Sequence, residues 1–270
     1  MRWGLAASAF GSIALACAAI ANAESAAPSA DEVVERMNAR DDGTSLSRSM
    51  LMELVDKDGT TRTRSLRAYR RQVGADRRAV LFFDEPAAVK GTAFLSWDYG
   101  DPAREDDQWL YLPELRKTRR IALAERGRAF LGTDLSFEDM KKETKIERGD
   151  YTWRSAGEEE VDGARCWVVE GAVIDAATAR EIGYGRVRVR VDAETWMPRF
   201  IEYWDPAGAP LKTVRLRDIE SVDGIWTART IEAANAQTGH RTRIRFERVD
   251  FRTEVPEELL TEAAMRRGSP

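Results

Sequence analysis

From Ser49 to Phe251 the chain reads mostly in twos. In SMLMELVD, Met50, Met52 and Leu54 alternate with Ser49, Leu51 and Glu53. In GRVRVRVD, Val187, Val189 and Val191 take one face and Arg186, Arg188 and Arg190 the other. HRTRIRFE sets Ile244 and Phe246, with His240 and Thr242, against Arg241, Arg243 and Arg245, and KTVRLRDI adds Val214 and Leu216. A period of two marks strands with one buried and one solvated face. Further runs of this kind are RAVLFF, TAFLSWDY, RCWVVEGAVI, RFIEYWD and IWTARTIEA, and turn signals such as VDG and DPAG separate them. DKDG at 56–59 lacks the spacing of a calcium loop and reads as a hairpin turn. The spacing predicts roughly 10–11 antiparallel strands. Helical period appears over residues 31–40, where Ser29 and Glu32 have capping-box spacing and Val33, Val34 and Met37 share a face. Two shorter helical pieces fall near 136–143 and in the tail EELLTEAAM after Pro256. The fold class is therefore mainly β with a few helices.

A sheet this large twists and curls, and its apolar face must be covered. A few short helices cannot lay a solid layer over it. Either the sheet closes on itself and fills with side chains, or it bends into a cup with an apolar hollow. The pattern alone does not separate the two.

The N-terminus departs from this rhythm. Arg2 precedes an apolar run from Leu5 to Ile20, and Ala21-Asn22-Ala23 supplies an A-x-A cleavage pattern. Residues 1–23 read as a signal peptide and 24–270 as a single exported domain. The alternatives are an uncleaved N-terminal anchor and a lipid anchor at Cys17. Cleavage removes one of 42 basic residues and none of the 46 acidic ones, so the mature chain is mildly acidic and nothing suggests nucleic acid. Cys166 is then the only cysteine, which rules out an internal disulfide. A single histidine, His240, excludes a histidine-rich metal site. No nucleophile elbow, phosphate loop or zinc-protease motif is present. A hydrolase built on paired carboxylates lacks a spaced constellation, because Glu158, Glu159 and Glu160 lead straight into a VDG turn. The expectation is no enzyme, no metal and no cofactor.

Residues 90–140 carry the most specific pattern: Lys90-Gly91-Thr92, then Trp109-Leu110-Tyr111-Leu112-Pro113, Arg119-Arg120-Ile121, and Phe130-Leu131-Gly132-Thr133-Asp134 with Phe137-Glu138-Asp139. This block resembles bacterial outer-membrane lipoprotein-sorting proteins, in the superfamily of the periplasmic carrier LolA and the outer-membrane receptor LolB. The later strands fit the same pattern. The resemblance implies a strongly curved antiparallel sheet, an open half-barrel with helices across its concave face, whose hollow receives acyl chains of lipoproteins or other lipids. The best-known carriers are shorter and lack the WLYLP–RRI block in this form. The branch resembled is often encoded beside inner-membrane lipid exporters, so the cargo need not be a lipoprotein.

Trp109, Tyr111, Leu112, Phe130, Leu131, Phe137, Met140, Val189, Ile244 and Phe246 are the candidate residues of cup and lid. Trp97, Trp153 and Trp204 read as core. Trp109–Leu112 has two apolar faces, one for the hollow and one for a neighbouring element. Arg119 and Arg120 are the candidate pins of a lid loop, through Asp134 and Asp139. The Arg186/188/190 and Arg241/243/245 stripes read as a solvated exterior with cross-strand partners at Glu202 and Glu247, or as a docking surface. The function expected is a monomeric periplasmic carrier of acyl chains, serving an inner-membrane exporter and an outer-membrane acceptor. The alternative is a periplasmic sensor or accessory module that binds such an exporter.

Overall fold

The computed structural model describes residues 1, 27–101 and 103–268. The signal-peptide reading and Cys17 lie outside them. The chain opens with α1 (Ala30–Asn38), whose Ser29 hydroxyl accepts from the Glu32 N–H at 3.2 Å while Val33, Val34 and Met37 are buried. It then runs outward through β1 (Ser45–Val55), β2 (Thr61–Val73), β3 (Asp76–Glu85), β4 (Ala93–Asp98), β5 (Asp107–Leu112) and β6 (Lys117–Arg120). Residues 121–150 follow without a strand and contain α2 (Phe137–Lys142). A second meander returns through β7 (Tyr151–Val161), β8 (Ala164–Val173), β9 (Arg186–Asp192), β10 (Pro198–Trp204), β11 (Pro210–Val222), β12 (Ile225–Asn235) and β13 (Arg241–Asp250).

All strands join one antiparallel sheet of 13, in the order β6-β5-β4-β3-β2-β1-β13-β12-β11-β10-β9-β8-β7. Each strand neighbours its successor except β6, whose successor β7 lies at the opposite edge, and the one non-sequential pairing joins β1 to β13. The edges β6 and β7 do not pair, so the sheet is an open, curved half-barrel. The strand total exceeds the 10–11 expected, and the hairpin within residues 109–121 supplies the shortest strand, β6, of 4 residues. Register irregularities at Ser49/Met50, Ser65/Leu66, Ser155/Glu158, Pro198/Phe200 and Tyr203/Trp204 bend the strands.

The two edges are consecutive in sequence, so the connection 121–150 has to cross the concave side from β6 to β7. Ile121, Phe130, Leu135, Phe137 and Ile146 along it are all buried in the main core with the inward side chains of the strands and α1. A helix the pattern did not reveal, α3 (Ala176–Ile182), lies between β8 and β9. Asp175 caps it by accepting from Ala177 and Thr178 N–H groups at 2.8 Å, and Gly183 ends it at φ 85°. There the crossing segment touches the far side: a Cβ on Gly127 would lie 2.8 Å from Gly183 N, which only glycine avoids.

A second apolar cluster lies on the opposite, convex face. Val80, Phe82, Ala93 and Leu95 pack there against Val255, Leu260 and Met265 of the C-terminal tail, which includes α4 (Glu262–Arg267). Trp97 donates through Nε1 to the Leu260 carbonyl at 2.9 Å. This explains why RAVLFF is apolar without alternation: Leu81 and Phe83 face the concave core, Val80 and Phe82 the tail.

Candidate functional site

The crossing segment packs against one end of the concave face through its aromatic side chains. Phe130 sits with its ring centroid 5.1 Å from Phe94, 5.3 Å from Phe137 and 6.1 Å from Phe83. At the other end a cleft remains between α2 and strands β1 and β10–β13. Leu46, Met50, Met140, Met197, Ile201, Leu216, Ile244 and Phe246 line it, and Trp226, 45% exposed, stands at its rim. Its volume is about 80 Å³, well under the roughly 300–1,000 Å³ of an ordinary small-molecule pocket. Arg40, Asp42, Arg48, Arg70, Glu143 and Thr144 also line the cleft. Arg48 links its charged and apolar parts, with its guanidinium 4.4 Å from the centroid of Phe246.

The crossing segment is held to the sheet, but by other cations than the sequence pattern suggests. Arg119 pairs with Glu125 at 2.8 Å, and Arg120 with Asp107 and, at 3.7 Å, Glu105. Neither reaches Asp134 or Asp139, because the β5–β6 hairpin lies at the sheet edge beside its own acidic loop. Asp134 is held instead from β13 and the turn before it. His240 Nδ1 lies 2.7 Å from its carboxylate, the Thr242 hydroxyl donates to the same oxygen at 2.7 Å, and the Asp134 N–H donates back to Thr242 at 3.0 Å. Lys212 of β11 donates to the Asp134 carbonyl at 2.9 Å and pairs with Asp139, which also accepts from the Tyr184 hydroxyl at 2.8 Å. Burial, with Asp139 and Tyr203 alongside, pushes the Tyr184 pKa well above its ordinary value, so this hydroxyl stays a donor. From β5, buried Gln108 donates to Glu138 at 2.8 Å, and Lys141 of α2 pairs with Glu138 at 2.9 Å and with Asp106.

The end of α2 enters a denser charge cluster. Glu143 pairs with Arg48 at 2.7 Å and with Arg70 and Arg77 at 3.4 Å each. Asp42 pairs with Arg70 and Arg77 at 3.2 Å each and with Lys145 at 3.0 Å. Burial raises the Glu143 carboxyl, but Arg48, Arg70, Arg77 and Lys145 together outweigh it and hold its pKa at about 2. Arg40 and Arg70 are drawn down to about 10, chiefly by burial.

Of the candidate cup residues, Met140, Ile244 and Phe246 meet at the cleft. Phe130 and Phe137 are buried in the closed end, and Val189 is fully buried under β8–β10. Leu112 and Leu131 pack against the main core from its margin. Trp109 and Tyr111 are on the other face, against the tail cluster, so they do not line the hollow. The two-faced reading of their strand holds, with Leu110 turned inward; the apolar neighbour outside is the C-terminal tail. On the exterior, Arg190 pairs with Glu202. Glu247 falls at the irregular register between β13 and β1, and the carboxylates meeting Arg243 and Arg245 are Glu232 and Glu53.

The pattern missed Arg48, Arg70 and Lys212, although each carries a readable sign. Arg48 shares the inward register of Leu46 and Met50, Arg70 that of Leu66 and Ala68, and Lys212 that of Val214 and Leu216. A cation in the apolar register of an alternating strand must find a buried partner. Among the described residues no group of His, Cys, Asp and Glu is arranged to hold a metal, and no helix is long and apolar enough to cross a membrane.

An open antiparallel half-barrel with a helical lid over an apolar cleft is a LolA-like fold, and solved structures agree. A domain named for outer membrane lipoprotein sorting, from Vibrio parahaemolyticus, matches with TM-score 0.79 and 28% identity over 88% of this chain and 98% of that one. A DUF1329 family protein from Desulfovibrio piger matches with TM-score 0.79 and 26% identity, over 87% and 97%. A LolA superfamily protein from Nitrosomonas europaea shares the fold, with TM-score 0.65 at 20% identity over 88% and 100%. A family model described as an uncharacterized protein matches residues 75–267. The chain belongs to that family, and its fold is LolA-like. No curated protein matches it.

Proposed function

We propose that this protein is a periplasmic carrier, one domain over residues 24–270, that shields acyl chains of a lipoprotein or another lipid in transit toward the outer membrane. The observation that carries the reading is the apolar cleft on the concave face, bounded by Met50, Met140, Ile244 and Phe246 and opening past exposed Trp226. Each methylene kept from water there is worth about 0.8 kcal/mol, so a chain is held without covalent chemistry and handed on without a catalytic residue. The cleft of about 80 Å³ represents the closed state. Loading requires α2 and its flanks to move outward and withdraw lid side chains from the hollow. The lid's attachment through ion pairs and hydrogen bonds suits a part that must detach and return. The kinship with a domain named for outer membrane lipoprotein sorting supports the same direction of traffic.

Native mass spectrometry of the protein purified from periplasm tests this. The expected result is a stoichiometric acylated species, released by organic extraction. Purified protein that carries no lipid and takes up no fluorescent fatty-acyl probe would end the carrier reading.

A further inference from the structure

At the mouth of the cleft, charge is unbalanced. Arg48, Arg70, Arg77 and Lys145 converge on only two carboxylates, Asp42 and Glu143, among the described ion pairs, with Arg40 alongside. Arg40 has no carboxylate in contact and spends its donors on the Met37 and Trp196 carbonyls and the Thr144 hydroxyl. The cluster is not solvated surface: the side chains of Arg70, Arg48 and Arg77 are 5%, 12% and 12% exposed. The Nε groups of Arg48 and Arg77 are buried with no acceptor. Surplus positive charge and orphaned donors beside an apolar cleft are costly unless an anion joins them. The sheet exterior differs in charge balance: Arg188, whose Nε is likewise orphaned, and Arg190 meet three carboxylates there, Glu159, Glu170 and Glu202.

Glu143 ties this cluster to the lid. It is the residue immediately after α2, and it holds φ 57° and ψ −99°, a conformation costly for a residue with a side chain. Its three arginine contacts keep it there.

We propose that the cleft takes an amphipathic lipid with an anionic headgroup, and that the headgroup binds Arg48, Arg70 and Arg77 by displacing the Glu143 carboxylate. Glu143 is then an internal stand-in for the ligand's anion. Its displacement relieves the strained turn and frees the end of α2, so headgroup recognition and lid opening become one event. The chains enter the apolar part of the cleft, which Arg48 already joins to the charged part through Phe246. This inference rests on the acyl-carrier reading and adds the headgroup class.

The test uses the full mature chain and three probes below their aggregation limits: dioctanoyl phosphatidylglycerol, dioctanoyl phosphatidylcholine and inorganic phosphate, with binding followed by tryptophan fluorescence. The anionic lipid should bind at least ~10-fold tighter than the zwitterionic one, the yield of one or two charge-assisted hydrogen bonds. Inorganic phosphate should compete only weakly. Arg48→Gln should weaken the anionic lipid far more than the zwitterionic one, so that the two bind alike. Glu143→Gln, checked for folding by circular dichroism, should tighten the anionic lipid selectively. Equal affinity for the two lipids overturns the headgroup inference and leaves the carrier reading standing, whereas binding of neither removes both. Phosphate binding as tightly as the anionic lipid assigns the cluster to a free anion instead. Weaker anionic-lipid binding by Glu143→Gln overturns the displacement step.

Discussion

The two halves of the sheet are built differently. Strands β3–β5 are apolar on both faces, with the lid aromatics inside and the C-terminal tail outside. Strands β9–β13 are apolar only inside, and their outer face carries arginine–glutamate ladders such as Arg190–Glu202 and Arg243–Glu232. Two covers fix the first half as a packed block. The second half has a single inner cover, made of Met140 and the charged end of α2, and the cleft lies there. The hollow thus occurs where the lid meets the sheet through polar contacts instead of interlocked rings.

The largest expected effect breaks the packed block. Phe130→Ala removes a ring with no exposure from among Phe83, Phe94 and Phe137, and should cost about 3–5 kcal/mol in a denaturant melt. Phe246→Ala should cost clearly less, because the open cleft beside it already lacks partner atoms, but it should weaken acyl-probe binding. Equal stability losses would erase the distinction between the halves. Next comes Lys212→Ala, which leaves Asp139 with the Tyr184 hydroxyl, the Ser136 N–H and, among the described residues, no cation in contact. Losing one partner of a buried pair costs roughly 3 kcal/mol, at the low end of the usual range. Limited proteolysis should then cut first within residues 128–142.

Acid should loosen the cleft end before the packed end. Glu143 has its pKa lowered from 4.5 to about 2 by its arginines. A depressed carboxyl contributes stability that is present above the unfolded value and lost as pH falls through the folded one. The melting temperature should therefore fall between about pH 4.5 and pH 2, and Glu143→Gln should flatten that fall while starting from a lower value. A variant with the same acid profile as the parent would mean that Glu143 does not carry the dependence.

Much of this architecture was legible in the sequence, because a period of two states directly which face is buried: Val187, Val189 and Val191 are all fully buried. α1 was legible from its cap and its Val33–Val34–Met37 face. α3 was not, since a short alanine-rich piece between strands has little apolar period, although Asp175 and Gly183 mark its ends. The lining of the candidate cleft was legible in part. Met140, Ile244 and Phe246 were reachable from pattern and resemblance, whereas Trp109 and Tyr111 went to the wrong side. Their alternation gives two faces and cannot say which faces the hollow; that depended on where the distant tail at Val255–Met265 docks. Asp134 and Asp139 do tie the crossing segment to the sheet, but their partners were not legible, for a similar reason. Nearness in sequence favoured Arg119 and Arg120, while the half-barrel brings Lys212, His240 and Thr242 to the lid from strands far along the chain.

The smallest effect is therefore the most pointed. Arg120 is 52% exposed and bound to Asp107 and Glu105 on its own edge hairpin. An exposed pair of this kind contributes under about 1 kcal/mol. The lid is held without it by Lys212 and Thr242 from the second meander and by Gln108, which points inward from the strand next to Arg120. Arg120→Ala should leave cleavage within residues 128–142 at the parental rate and shift the melting temperature by no more than about 2–4 °C, the equivalent of 1 kcal/mol at this chain length. Faster cleavage there would mean that the edge hairpin carries the lid after all, and that the contrast between a packed half and a polar-latched half is drawn in the wrong place.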